Sequence, residues 1–294
     1  MFAYQPAGAS EPKFYDVNEK LEFTAVDGKK YTTVVAETKA ATEKAAEKSA
    51  KADPTPLVEK LKYKVDYKLD DASVIVQEDK GIAFRLPRGQ FKTVVPAGSE
   101  RTVREAVSER YLANIQGTFF EIPRAEGAGK EHLDWRHIKP VTTHNRAIAD
   151  FGTWRWPLGP GRRRRRRRDR AHVKGTGDAK LWFGAIDDLW KFGKPTGEGG
   201  PWKDSAVTAK TPSDPYLMTN YDKKTLTFKH DAKTPVKVTV ELDLANNGSW
   251  RVYESFEVAP NSTFKHEFPA GFQAHWVRFT TDRDCQATAW LTYE

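Results

Sequence analysis

The residues of this chain best suited to chemistry lie between Tyr111 and Trp190. Thr143-His144-Asn145-Arg146 sits at the start of a predicted strand, and an imidazole there could act as a general base near neutral pH. Removing a proton beside a carboxylate also requires donors for the charge that develops. Asn145 and Arg155 could be those carboxylate partners, with Tyr111 as the acid. On residue types alone, the commoner role is a surface histidine beside a turn-forming asparagine.

Asp187-Asp188-Leu189-Trp190-Lys191 offers a second chemistry. Paired carboxylates could hold sugar hydroxyls while Trp190 presents a stacking face, and Trp154 and Trp182 could extend that platform. Successive strand residues face opposite sides, so Asp187 and Asp188 share a site only where the chain turns. Core packing is the commoner use of the tryptophans.

Other chemistries are excluded by spacing. The seven histidines show no H-x-H or H-x-x-x-H pattern, and Cys285 is alone, so neither a metal site nor an intrachain disulfide is expected. No nucleophile elbow, phosphate loop or dinucleotide fingerprint occurs, so no cofactor is expected.

Arg162–Arg168, seven consecutive arginines, supply seven of the eight net positive charges. A contiguous run in an Arg-Gly-Pro context differs from the interleaved basic and aromatic residues of nucleic-acid binders, so a nucleic-acid partner is not expected. The genetic code gives another reading. Trp156–Gly161 read one nucleotide later becomes Gly followed by codons that can specify Leu, Leu, Val and Leu, an apolar strand. CGN arginine codons shifted likewise become G-N-C, which encodes Val, Ala, Gly or Asp. A pair of compensating frame errors therefore accounts for the tract. A disordered basic loop ranks second, and a functional polyanion site third.

The elements that must position these groups read as β-structure. Aromatics are 12% of the chain, and glycine and proline are frequent. Short alternating runs at Leu21–Val26, Tyr31–Val35, Leu61–Leu69, Ser73–Gln77 and Ile82–Leu86 are bounded by turn residues. A charged insert over 37–56 interrupts them, rich in Ala, Lys and Glu and helical by propensity. Arg110–Gln116 and Thr118–Pro123 flank Gly117 as a hairpin, and Ala147–Trp154 and Lys180–Trp190 read as further strand pairs. Toward the C-terminus, Val236, Val238, Val240 and Leu242 alternate with Lys237, Thr239 and Glu241 before an Asn246-Asn247-Gly248 turn.

The stretches RYLANIQGTFFEIP (110–123), HNRAIADFGTWR (144–155), LWFGAIDDLWKFGKP (181–195) and PSDPYLM (212–218) resemble the last blades and closing domain of uncharacterised bacterial proteins that join a β-propeller to a β-sandwich. Rhamnose–glucuronate polysaccharide lyases, built on a seven-bladed propeller, are a more distant resemblance. The likeness covers residues ~100–294 and departs from the family pattern at Trp156, where Gly and an aliphatic strand usually follow. It implies an all-β fold, with partial β-propeller blades over 1–195, a linker over 196–215 and a C-terminal antiparallel β-sandwich over 216–294. The Arg-rich segment 156–173 lies within the blades. A closed propeller needs at least about four blades, so the chain is expected to be the C-terminal part of a longer protein.

The function implied is a carbohydrate-active propeller, in particular a glucuronate-directed lyase acting on a glycan or uronate-containing oligosaccharide. A non-catalytic glycan- or protein-binding propeller is the alternative. No apolar stretch is long enough to span a bilayer, so no membrane partner is expected. The N-terminal Met-Phe-Ala-Tyr-Gln-Pro has neither the basic nor the apolar region of a secretory signal.

Overall fold

A computed structural model describes residues 2–4, 13–17, 23–26, 67–78, 81–89, 104–105, 110–123, 133–144, 148, 172–174, 180–182 and 186–294. Among the described residues the fold is all-β, with several sheets and none closed into a barrel. The charged insert, Tyr31–Val35, most of the predicted strand 147–154 and the arginine run lie outside the described residues.

The chain divides into two compact units. One comprises Met1–Tyr63 with Leu158–Ala185. Its strands β1 (Phe2–Tyr4), β2 (Lys13–Val17) and β3 (Phe23–Val26) form an antiparallel meander. Two further strands, β11 (His172–Lys174) and β12 (Lys180–Trp182), pair as a hairpin.

The described residues of the other unit, Lys64–Pro157 with Ile186–Glu294, form three sheets. The first is a four-stranded antiparallel meander of β7 (Arg104–Glu105), β8 (Arg110–Ile115), β9 (Thr118–Pro123) and β10 (Lys139–Thr143). The β8–β9 turn is the expected one: Gln116 and Gly117 both take positive φ, 47° and 81°, as a two-residue hairpin requires.

The second sheet has seven strands. It contains β4 (Tyr67–Leu69), β5 (Val74–Gln77), β6 (Ala83–Leu86), β14 (Tyr216–Leu217), β16 (Val236–Asp243), β17 (Trp250–Val258) and β19 (Trp276–Thr281). Their order is β17-β16-β19-β14-β6-β5-β4, and β14·β6 is the parallel step. The third sheet runs β13 (Gly197–Val207), β20 (Cys285–Tyr293), β15 (Lys224–His230), β18 (Thr263–Glu267).

The alternation along β16 fixes its faces. Val236, Val238, Val240 and Leu242 are buried, whereas Lys237 is exposed. Fully burying each such side chain stabilises by roughly 1.5–3 kcal/mol. On the same face, Phe279 of the neighbouring β19 meets Trp202 of the third sheet at 6.2 Å between rings, and Tyr216 of β14 meets Tyr293 at 6.1 Å. On the opposite face Trp276 packs on Phe84 at 4.7 Å, and its indole N–H donates to the Arg136 carbonyl and to Asn246 Oδ1. The centre of the seven-stranded sheet is therefore covered on both sides.

Two sequence boundaries are corrected here. Residues 196–215, read as a linker, contain the eleven-residue strand β13. Its glycines serve close packing: a Cβ on Gly200 would lie 1.8 Å from the Ala289 carbonyl oxygen, and one on Gly199 2.6 Å from that of Ala72. Strands β4–β6, assigned to a blade, belong to the same sheet as β16, β17 and β19. Arg85 secures that junction, donating to Asp70 (2.6 Å) and to Asp214 (2.8 Å), the residue two before β14.

Candidate functional site around strand β10

Strand β10 connects the two groups of candidate residues. A short 3₁₀ helix, η1 (Trp135–His137), leads into it, capped by Asp134, whose carboxylate also pairs with the His137 ring at 2.6 Å. The hydroxyls of β10 are committed. Thr143 Oγ1 donates to the Thr196 carbonyl (2.7 Å) and accepts the Thr196 N–H (2.9 Å). The single Thr143 proton is thereby used, so Thr118 is the donor in the 3.0 Å bond between the two hydroxyls. Thr142 Oγ1 donates to the Gly193 carbonyl at 2.9 Å.

His144 directly follows β10. Its backbone N–H donates to the Gly117 carbonyl at the hairpin tip, and its ring packs on Phe119 at 4.9 Å. Its Nε2 lies 2.8 Å from Asn114 Oδ1, while the Asn114 amide N–H faces the Ile148 carbonyl at 3.4 Å. With Oδ1 as acceptor, Nε2 carries the proton, and in the neutral ring the proton-accepting nitrogen is Nδ1.

Tyr111 is not placed to work with it. Tyr111 stands three residues before Asn114 on β8, so strand alternation turns it to the opposite face, about 10 Å along the strand. It is also buried, at 2% exposure. The expected acid–base pair of His144 and Tyr111 is therefore separated by the sheet itself. Asn145, Arg155 and Trp154 lie outside the described residues, as does Arg162–Arg168.

Asp188 and Trp190 are found on a 3₁₀ helix, η2 (Ile186–Phe192), where the second half of a strand pair over Lys180–Trp190 was expected. With three residues per turn, Asp188 and Lys191 stack above one another and form an ion pair. Leu189 is buried at 5%, anchoring the helix, while Trp190 is 55% exposed. The Asp187 side chain is outside the described residues. The helix ends at Gly193, whose carbonyl takes the Thr142 hydroxyl. By register Thr142 pairs with Phe119 and Phe119 with Asn114, so the anchor of η2 and the His144–Asn114 pair occupy one face of the sheet.

Sequence reasoning missed Asn114 and the threonines. Asn114 was detectable as the one amide inside the otherwise apolar run Tyr111–Ile115, a position where a buried polar group needs a partner. Among the described residues no group of His, Cys, Asp and Glu could hold a metal ion, and no helix is long and apolar enough to cross a membrane.

No protein-family model matches the chain, and none of the curated proteins matches it. Among solved structures, it is similar to one described as "Crystal structure of PirA", at 10% identity over 34% of this chain and 84% of that one. The TM-score of 0.19 is too low for that likeness to bear on fold or function.

Proposed function

We propose that this chain is part of a carbohydrate-directed protein that joins β-propeller blades to a β-sandwich and holds a glycan on the β10 face. The blade reading is supported by the sequential order of β7–β10, the hydrogen-bonding order of a propeller blade. The sandwich reading is supported by the ring contacts between the four-stranded and seven-stranded sheets.

The observation that carries the function is Trp190. A large indole 55% exposed on a helix anchored by Leu189 and Gly193, beside the Asp188–Lys191 pair, offers an apolar stacking face bordered by hydrogen-bonding groups. Lys191 suits a uronate carboxylate. Trp190→Ala is expected to weaken binding of glucuronate-containing oligosaccharides at least tenfold in titration calorimetry. Unchanged binding, or no binding by the parent protein, refutes this reading.

The Asn114-fixed orientation of His144 favours a second reading, uronate-specific lyase activity. The His144 ring would take the proton beside the carboxylate as the glycosidic oxygen departs, leaving a carbon–carbon double bond. The acid would have to be a group other than Tyr111. An ultraviolet-absorbing unsaturated product that disappears in His144→Gln is the expected signature, and its absence across a broad glycan panel excludes the activity.

A further inference from the structure

The outward face of the β13–β20–β15–β18 sheet carries a second arrangement, on strands the reading above does not use. Along β20, Ala287, Ala289, Leu291 and Tyr293 are buried, which turns half-buried Trp290 and Thr292 to the other side, with Thr288 on that side buried beneath Asp204. Along β15, buried Leu226 and Phe228 leave Thr225, Thr227 and Lys229 on the same side. The register places Trp290 opposite Thr227, and Thr227 opposite Lys265 of β18, in one row across three strands. A parallel row runs from Thr288 through Lys229 to Thr263.

Two of the three lysines on this face are paired with carboxylates. Lys229 pairs with Asp204 at 3.0 Å and Lys265 with Glu267 at 3.2 Å. Asp204 is further held by Thr288, whose hydroxyl donates to Oδ1 at 3.0 Å. Lys203 lies over the Trp290 ring, 5.5 Å from its centroid. The face thus combines one indole with Lys203 at its ring, the hydroxyls of Thr225, Thr227 and Thr292, and two ion pairs, a mixture without the several like charges that draw a polyanion.

We propose that this face binds a neutral polysaccharide, laid across the strands from Trp290 over Thr227 toward Lys265. Strands stand about 4.8 Å apart, so each step presents a new hydroxyl or charged group at a spacing close to one sugar unit of an extended chain. The indole supplies the apolar stacking surface, and the threonines and paired ions supply hydrogen bonds to sugar hydroxyls. A partner with no charge leaves both ion pairs intact.

The test is affinity electrophoresis of the full chain through gels containing xylan, mixed-linkage β-glucan, galactomannan or starch, with a glucuronate-containing polysaccharide in parallel. The parent protein should be retarded by at least one neutral polymer. Trp290→Ala and Thr227→Glu should each lower that retardation at least tenfold, while Trp190→Ala keeps it. Thr227→Glu adds a charge beside the indole without removing any buried group, so its loss of binding is not a loss of fold. The proposal is overturned if no neutral polymer retards the parent. It is also overturned if Thr227→Glu migrates like the parent, or if Trp190→Ala abolishes neutral-polymer binding. Loss of uronate binding alone in Trp190→Ala speaks only to the β10 face.

Discussion

Acidification should loosen the contact between the seven-stranded sheet and the segment that leads into β10, and His275 is the group through which it acts. His275 is buried at 8% exposure and its Nε2–H donates to the Ile138 carbonyl at 2.9 Å. Burial pushes its pKa from 6.5 down to about 4; nearby His137 and Lys139 push the same way, while the Ile138 bond and Asp243 oppose them. The unfolded chain therefore binds a proton near pH 6.5 that the folded chain refuses until about pH 4. Stability from this group is complete above 6.5 and is lost as pH falls through that window, about 3 kcal/mol by pH 4. His275→Gln keeps a donor for Ile138 but cannot titrate. Urea unfolding of both proteins at pH 7 and pH 4, followed by tryptophan fluorescence, isolates the effect. The parent should lose about 3 kcal/mol more than the variant, because every other titrating group is common to both. Parallel losses within about 1 kcal/mol, or an imidazole titrating near 6.5 by NMR, would refute the reasoning.

Lys224 gives a slope of the same sign in a higher pH window. It is buried at 2% exposure, with its ammonium donating to the Tyr221 and Phe272 carbonyls, and burial lowers its pKa to about 8. The unfolded lysine keeps its proton to about 10.5, so stability should rise by about 2 kcal/mol between pH 8 and 9.5 in denaturant titrations. Lys224→Met should flatten that rise; a rise that survives the substitution sinks the assignment. Above pH 10 the trend should reverse, because burial raises the pKa values of Tyr216, Tyr221 and Tyr293. Gly200→Ala should cost more than about 3 kcal/mol, since its Cβ would meet backbone, whereas Gly81→Ala, with nothing within 4 Å, should cost about 1 kcal/mol. Equal urea midpoints for the two variants would show that β13 does not need the close approach.

The local pairings were legible because the sequence carries them within a few residues. The Gln116-Gly117 turn and the alternation of Val236 to Leu242 each state a register or a face in their own segment. Strand β13 was hidden by its composition: Gly199 and Gly200 read as flexible linker, yet they are glycines because Ala72 and Ala289 leave no room for a Cβ. The candidate site was legible only in part. His144 and Trp190 were singled out by residue type, but that η2 is anchored to the face carrying His144 depends on the Thr142 contact with Gly193, 51 residues away.

By itself the sequence determined that this chain is all-β and which faces of its C-terminal strands are apolar, since both follow from a period of two and from turn chemistry. Only the tertiary structure decided which strands share a sheet. Arg85 and Tyr216 meet across a parallel pairing, and the Arg85 ion pairs to Asp70 and Asp214 hold that junction. Only it decided that Tyr111 and His144 stand on opposite faces, because pairing partners and distances between remote segments are set by packing rather than by any local signal.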